Sequence, residues 1–495
     1  MRLTTAQIDR ACGAVLGSAV GDALGAGYEF GSATVGPDGP QMIGGGLGNF
    51  EAGEWTDDTT MAWCILDVAA TGADLRSEDA LTQVGRRFRG WYDTHPPDIG
   101  NQTRTILGQV GPEPTGATLT AAAHDLHART GHTAGNGSLM RTAPVALRYL
   151  EDPVGLTEAA RRIGALTHYD QRAQEACVLW SLAIRHAILH GELDVRVGFK
   201  HLDEDAVAFW EEHLRAAETR EPSTFVPNGW VVTALQAAWS AIAQSSTTGG
   251  AKDCAHLVDA LDTAIRIGDD TDTVAAIAGG LLGARWGASA VPARWRRVLH
   301  GYPGITGDRL VELAHLAATG RPGKHGWPGV ARVDYSPYVW SPTLVRHPYD
   351  DGVWLGDALA LDDLSPDVTA VVSLCLLGSE QVPPDIEHIG FRLIDEADPA
   401  SNPNLDFVLR DTAETVAALR AEGHVVLLHC VAAQSRTPTV AIAYAVHQGA
   451  SLEKAAHAVL QALPRSRPNL GFRAALGRME SYVRSSDERR HSGDA

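Results

Sequence analysis

Through the first two thirds of the chain apolar residues recur at three- and four-residue steps, most clearly in 62–70, 174–190, 229–243 and 274–286. That spacing lines them along one face of a helix of 3.6 residues per turn. These stretches are Ala-rich and broken by Gly, so residues 1–320 read as an all-α domain. Between 320 and 351 the helical period disappears. Pro322, Pro328, Pro337, Pro342 and Pro348 lie there among Gly, Tyr and Trp, which predicts a Pro-rich linker over 321–350. Beyond it the pattern alternates. Short apolar runs at 353–356, 370–374 and 425–428 predict strands, while 405–422 and 440–448 predict helices. Strands separated by helices predict a parallel sheet wrapped by helices. Residues 351–484 are therefore expected to form an α/β domain, followed by a polar tail at 485–495. The fold class is multidomain, with an N-terminal all-α domain and a C-terminal α/β domain. No internal repeat is visible, and the remaining low-complexity piece is 245–250.

Composition narrows the function classes. The chain has 495 residues, 44% of them hydrophobic and 6% aromatic, which excludes a disordered polymer and allows more than one core. A net charge of −19 argues against general nucleic-acid or membrane-surface binding, because phosphate backbones and anionic lipids need clustered Lys and Arg. A local pocket for a small anion remains compatible with that balance. Six scattered cysteines without a CxxC pair point to a reducing compartment, so a cytoplasmic address is expected. The apolar segment 11–20 is Gly-rich, poor in Leu and runs straight into Gly21-Asp22, unlike a signal peptide.

Two acidic clusters stand more than two hundred residues apart: Thr56-Asp57-Asp58-Thr59 and Asp269-Asp270-Thr271-Asp272-Thr273. Each precedes a helical run, so each could simply supply an N-cap. The second cluster holds more carboxylates than one cap uses. Crowded carboxylates repel one another, and a hard divalent cation such as Mg²⁺ or Mn²⁺ removes that repulsion. Capping and ligation both remain open at this level, and they can coexist.

Five motifs in order carry a resemblance over most of residues 8–320. They are Gly21-Asp22-Ala23-Leu24-Gly25 with Glu29, Trp55-Thr56-Asp57-Asp58-Thr59, Gly135-Asn136-Gly137-Ser138-Leu139-Met140-Arg141, Thr167-His168, and Asp270-Thr271-Asp272-Thr273 ahead of Ala276-Ile277-Ala278-Gly279-Gly280. This half resembles the ADP-ribosylglycohydrolase family, which includes the dinitrogenase reductase-activating glycohydrolases. The resemblance implies two divalent ions held by Thr56, Asp57, Asp58, Asp270, Asp272 and Thr273. It implies hydrolysis of a glycosidic bond to ADP-ribose, with Glu29 as the carboxyl group that moves a proton. Asp98 lies where relatives carry an Asp-x-Gly, and is either a turn residue or a catalytic one. Gly135, Asn136, Gly137 and Ser138 are expected to cradle a pyrophosphate, and His168 to contact the nucleoside. A plain turn and a buried histidine are the alternatives.

In the second half, His429-Cys430-Val431-Ala432-Ala433-Gln434-Ser435-Arg436-Thr437 follows a buried strand and precedes a helix. A thiol there sits among backbone N–H groups that favour the thiolate and cradle phosphate, and an arginine six residues on can clamp two oxygens. Residues 350–483 resemble the tyrosine and dual-specificity phosphatases. By that resemblance Cys430 is the nucleophile, Arg436 the phosphate clamp and Asp395 the general acid, with Asp398 as the fallback. Ala433 stands where that family usually has Gly, and Thr437 where it usually has Ser.

The expected whole is a hydrolase that removes ADP-ribose from a modified protein side chain or a small ADP-ribosyl conjugate, fused to a cysteine-dependent phosphatase that could act on a phosphoprotein. Neither nucleic acid nor membrane is an expected partner. Two alternatives are a phosphatase whose helical domain only recognises ADP-ribose-like ligands, and a non-enzymatic signalling scaffold.

Overall fold

The computed structural model describes residues 2–245, 253–339 and 341–492. Two compact units emerge: Met1–Val291 with Trp295–Arg321, and Pro292–Arg294 with Pro322–Ala495.

The first unit is helical. Its site is built from α1 (Thr5–Gly25), α2 (Asp57–Ala69), α3 (Gln171–His190), α4 (Val231–Ser245) and α5 (Thr271–Trp286). A capping box starts α1: the Thr4 hydroxyl accepts from the Gln7 N–H at 3.2 Å and Gln7 Oε1 accepts from the Thr4 N–H at 2.9 Å. The low-complexity piece 245–250 lies, beyond Ser245, outside the described residues.

Helices α1 and α5 touch backbone to backbone. Gly13, Gly17, Gly21 and Gly25 are spaced four apart and so share one face. A Cβ on Gly13 would lie 2.5 Å from the Gly287 carbonyl carbon, and one on Gly25 2.5 Å from Asp272 Cα. Only glycine permits that approach. It carries Asp22, on α1, into reach of Asp272 at the start of α5, across 250 residues of sequence. Trp180 of α3 ties this pair to the surrounding layer by donating from Nε1 to the Ile277 carbonyl at 3.0 Å.

The second unit contains β1 (Leu344–His347), β2 (Asp350–Gly356), β3 (Ala370–Ser373), β4 (Glu387–Gly390), α6 (Leu405–Ala421), β5 (Val426–His429), α7 (Arg436–His447), α8 (Leu452–Ala462) and α9 (Leu470–Ser492). Strand order is β1-β2-β5-β3-β4, parallel except for the antiparallel edge β1. Register sets Gly356, His429 and Ser373 side by side at the carboxyl ends of three strands, the usual mouth of an open parallel sheet.

Alternate residues of these strands serve two cores. Val353, Leu355, Val372 and Leu428 face the helices, with Val408, Leu409 and Val440 among their neighbours. Val371, Leu427 and Trp354 face the other side, which irregular segments carrying Val333, Tyr335 and Leu361 cover. The sheet is thus helix-covered on one face only. The segment 321–350, expected as a linker, belongs to this unit. Val333 donates its N–H to Gln381 Oε1 at 2.8 Å, and Leu344–His347 forms the edge strand. Without that cover an apolar sheet face would meet water. The expected polar tail at 485–495 is, as far as Ser492, the last turns of α9.

Candidate active sites

Neither acidic cluster caps its helix through its N-cap side chain, although Asp272 Oδ1 accepts the Thr273 N–H at 2.8 Å in the first turn of α5. Thr56 and Asp270 occupy the N-cap positions of α2 and α5 and make no side-chain cap bond. Asp22 caps α2 from a distance instead. Its Oδ1 accepts the Thr56 N–H at 3.0 Å and hydroxyl at 2.8 Å, and its Oδ2 accepts the Thr59 N–H at 2.9 Å and hydroxyl at 2.6 Å. That tertiary cap leaves the carboxylates of α2 for other work.

Asp58 is 1% exposed, and its Oδ1 accepts nothing among the described residues. Its Oδ2 lies 3.2 Å from the Thr56 hydroxyl oxygen and accepts from the Thr273 hydroxyl at 3.3 Å. The Thr56 hydroxyl also lies 3.4 Å from Asp272 Oδ2. Asp22, Asp58 and Asp272 each offer an oxygen within 4.8 Å of the others, and so do Glu29, Asp270 and Asp272. Asp272 is common to both groups. Among the described residues no Lys or Arg pairs with any of these five acids.

Burial without a counter-charge raises these carboxyl groups. Asp58 and Asp272 are held well above the usual carboxylate range by burial first, then Asp58 by Asp22, Asp57 and Asp270, and Asp272 by Asp58, Glu29 and Asp270. Asp22 is pushed up to about 6 by burial, against the pull of its four hydrogen bonds. Half-buried Asp57 reaches about 7 through burial and then Asp98, although the Gly100 N–H donates to its Oδ2 at 3.2 Å. Glu29, 6% exposed just beyond α1, is pushed up to about 9 by burial and then by Asp98, Asp270, Asp57 and Asp22. Asp98 is raised as well, chiefly by burial. An all-oxygen donor set, crowded, buried and including an orphaned oxygen, fits a hard divalent cation.

The glycine segment forms the adjoining wall. Asn136 donates from its side chain to Asp270 Oδ2 at 2.7 Å and from its N–H to the Gly229 carbonyl at 3.1 Å. Its N–H is therefore engaged, contrary to the expectation of a free cradle at this position. Ser138 is buried beside Gly164 and Cys177. Gly135 and Gly137 lie flat against His168, which a Cβ at either position would crowd at 3.2–3.3 Å. Sequence reasoning overlooked Asp22 as a member of the site and Asn228, whose Oδ1 accepts the Asp270 N–H at 3.0 Å and whose own N–H donates to Asp269 Oδ2 at 2.9 Å. The position of Asp22 after an i, i+4 glycine series was the available signal.

In the second unit Cys430 follows β5, is 2% exposed, and opens the loop that ends at Arg436, the first residue of α7. Arg436 Nη1 donates to the Leu374 carbonyl at 2.7 Å and the Leu393 carbonyl at 3.3 Å. Its Nε is buried and has no partner among the described residues. The Nη1 contacts thus fix the orientation of the guanidinium. Ala433 has φ +52°, the left-handed conformation that glycine takes without strain. Asp395 is exposed and accepts from the Ser435 hydroxyl at 2.6 Å and Asn469 Nδ2 at 3.0 Å. Asp398, the fallback, caps a short turn by accepting the Ala400 N–H. The Thr437 hydroxyl donates to the Gly356 carbonyl at 3.3 Å. None of the six cysteines forms a disulfide, and no described helix is long and apolar enough to cross a membrane.

Comparison with known proteins agrees with this division. Residues 3–325 match the profile of the ADP-ribosylglycohydrolase family. The chain is 31% identical over 299 residues to the ADP-ribosylarginine hydrolase Tri1 of Pseudomonas putida (strain GB-1), covering 58% of this chain and 73% of that protein. It is 30% identical over 295 residues to the ADP-ribosyl-[dinitrogen reductase] glycohydrolase of Rhodospirillum rubrum, covering 58% and 89%. A separate match, 31% identical over 141 residues, is to the dual specificity phosphatase 28 of Mus musculus, covering 27% of this chain and 82% of that protein.

Proposed function

The chain belongs to the ADP-ribosylglycohydrolase family, and from that premise we propose that its first unit hydrolyses the glycosidic bond between ADP-ribose and a protein side chain or small conjugate. The observation that carries this reading is the pair of three-carboxylate groups sharing Asp272, with Glu29 in one of them.

Asp22, Asp58, Asp270 and Asp272 would hold two divalent ions, Mg²⁺ or Mn²⁺, assisted by the Thr56 and Thr273 hydroxyls and flanked by Asp57. Such ions, when bound, orient ribose hydroxyls and stabilise charge developing at the anomeric carbon. The protein's own contribution is proton placement. Glu29, whose carboxyl group burial and the surrounding acids push up, can carry a proton to the leaving atom and take one back from water. Asp98 sustains that raised value by its negative charge. His168 and the glycines at 135 and 137 form the wall against which the pyrophosphate would lie. Relatives named for ADP-ribosylarginine and for a modified reductase make an arginine conjugate the first substrate to try.

The test incubates the purified chain with ADP-ribosyl-arginine and ADP-ribosyl-serine peptides, with and without chelator, and identifies products by mass. Metal-dependent release of ADP-ribose is expected. Absence of ADP-ribose with every peptide and metal would refute the reading.

A second activity is proposed for the second unit on one observation, the buried Nε of Arg436 that no described protein group accepts from, beside an Nη1 fixed by the Leu374 carbonyl. The Nε–Nη2 edge of a guanidinium matches two oxygens of a phosphate monoester. Cys430 would attack phosphorus, and Asp395 would protonate the leaving oxygen. Wild-type turnover of an aryl phosphate no faster than that of Cys430→Ser would rule it out.

A further inference from the structure

Behind the glycine wall three side chains form a directed chain. Arg141, fully buried, donates from Nη2 to Thr167 Oγ1 at 2.8 Å. Thr167 Oγ1 in turn lies 2.8 Å from His168 Nδ1. A guanidinium can only donate, so the Thr167 oxygen is the acceptor in the first contact. The hydroxyl has one proton of its own, Thr167 is fully buried, and among the described residues His168 Nδ1 is its remaining partner. Leaving that O–H unpaired in a buried site is costly. The proton therefore points at Nδ1, which must present its lone pair, and the imidazole carries its own proton on Nε2. Burial and the nearby Arg141 hold the ring neutral, with a value pushed down to about 3.

The other end of the ring faces the glycines. A Cβ built on Gly135 would lie 3.3 Å from His168 Nε2, and one on Gly137 3.4 Å. His168 is 2% exposed, yet no described protein group accepts from Nε2. A ring N–H so placed, with no protein acceptor, is left for something outside the protein.

We infer that Arg141 and Thr167 are positioning residues that fix His168 as its Nε2–H tautomer, aiming a neutral donor across Gly135 and Gly137 at an acceptor oxygen of the bound substrate. The nature of that oxygen, a phosphate or hydroxyl of ADP-ribose, rests on the proposed function; the tautomer does not. The arrangement also answers a local electrostatic problem. A cation placed directly on this wall would be drawn to the neighbouring carboxylates, whereas Arg141, set one residue back, acts through a neutral ring.

Nitrogen-15 NMR of the full chain labelled at histidine tests the tautomer without substrate, the His168 signal being assigned by its loss in His168→Asn. A protonated nitrogen at Nε2 and a bare one at Nδ1 are expected; a proton on Nδ1, or on both nitrogens, overturns the inference. Calorimetry with ADP-ribose gives the functional arm. Thr167→Val should weaken binding about tenfold, and Thr167→Ser, which restores the hydroxyl, should stay within about twofold of wild type. Equal binding by the Val variant overturns the positioning role. A wild-type chain that shows the Nε2–H tautomer but binds no ADP-ribose leaves the tautomer standing and sinks the proposed function instead.

Discussion

A Cβ built on Gly21 would lie 2.5 Å from the carbonyl carbon of Ala275, so the two helices that carry the acidic site meet at a point where no side chain fits. The glycine face of α1 is what lets Asp22 reach both the start of α2 and the carboxylates of α5.

Gly21→Ala must push backbone against backbone, which costs about 3 kcal/mol or more in a packed interior. Gly90→Ala is the control, since it lies in a helix with nothing within 4 Å of its added methyl, and should stabilise by about 0.5–1 kcal/mol. Thermal melting should move down by several degrees for the first and slightly up for the second. Equal melting temperatures would contradict the close approach.

Asp22→Asn keeps the shape of the side chain but turns an amide donor toward oxygen and N–H groups that now donate to a carboxylate. Losing part of the α2 cap should destabilise by about 1–3 kcal/mol, and calorimetric Mn²⁺ affinity should fall as well. Unchanged affinity would remove Asp22 from the site.

In chelator, stability should fall as pH rises. Asp22, Asp57 and Glu29 keep their protons in the folded state up to about 6, 7 and 9, whereas unfolded carboxyls release theirs near about 4. The folded state therefore binds more protons across that window, and stability is lost as pH climbs through it. Mg²⁺ favours the deprotonated acids and should flatten the slope. Melting curves from about pH 5 to 8, with and without Mg²⁺, measure it.

Glu29→Gln removes the transferable proton while keeping the shape of the side chain. ADP-ribose release should drop by about two to four orders of magnitude, with ADP-ribose binding largely kept. Release at the wild-type rate would assign the proton to another group.

Ala433→Gly should leave stability nearly unchanged, because relief of the left-handed strain, about 1 kcal/mol, is offset by the greater freedom of glycine when unfolded. Turnover of an aryl phosphate should rise if the methyl at φ +52° narrows the phosphate loop. A fall in turnover would show that the alanine suits this loop.

Much of the molecule was legible in the order of residues. Helical and strand periods predicted an all-α part and an α/β part, because period is a local property that each segment shows by itself. The clusters at 56–59 and 269–273, the glycine run at 135–138 and the Cys430–Arg436 spacing could be picked out for the same reason: each is contiguous, and its chemistry is visible without a partner. Tertiary structure decided the rest. Whether Thr56 caps α2 or faces a site depended on Asp22 arriving from α1 to do the capping. The raised value of Glu29 depends on burial and on four acids, three of them drawn from other segments. Residues 330–335 and 344–347 became sheet cover and edge strand because the apolar face carrying Val371 and Leu427 required cover. Spacing along the chain shows which groups are present; only packing sets which of them share low-dielectric space, and so which way their protons and hydrogen bonds point.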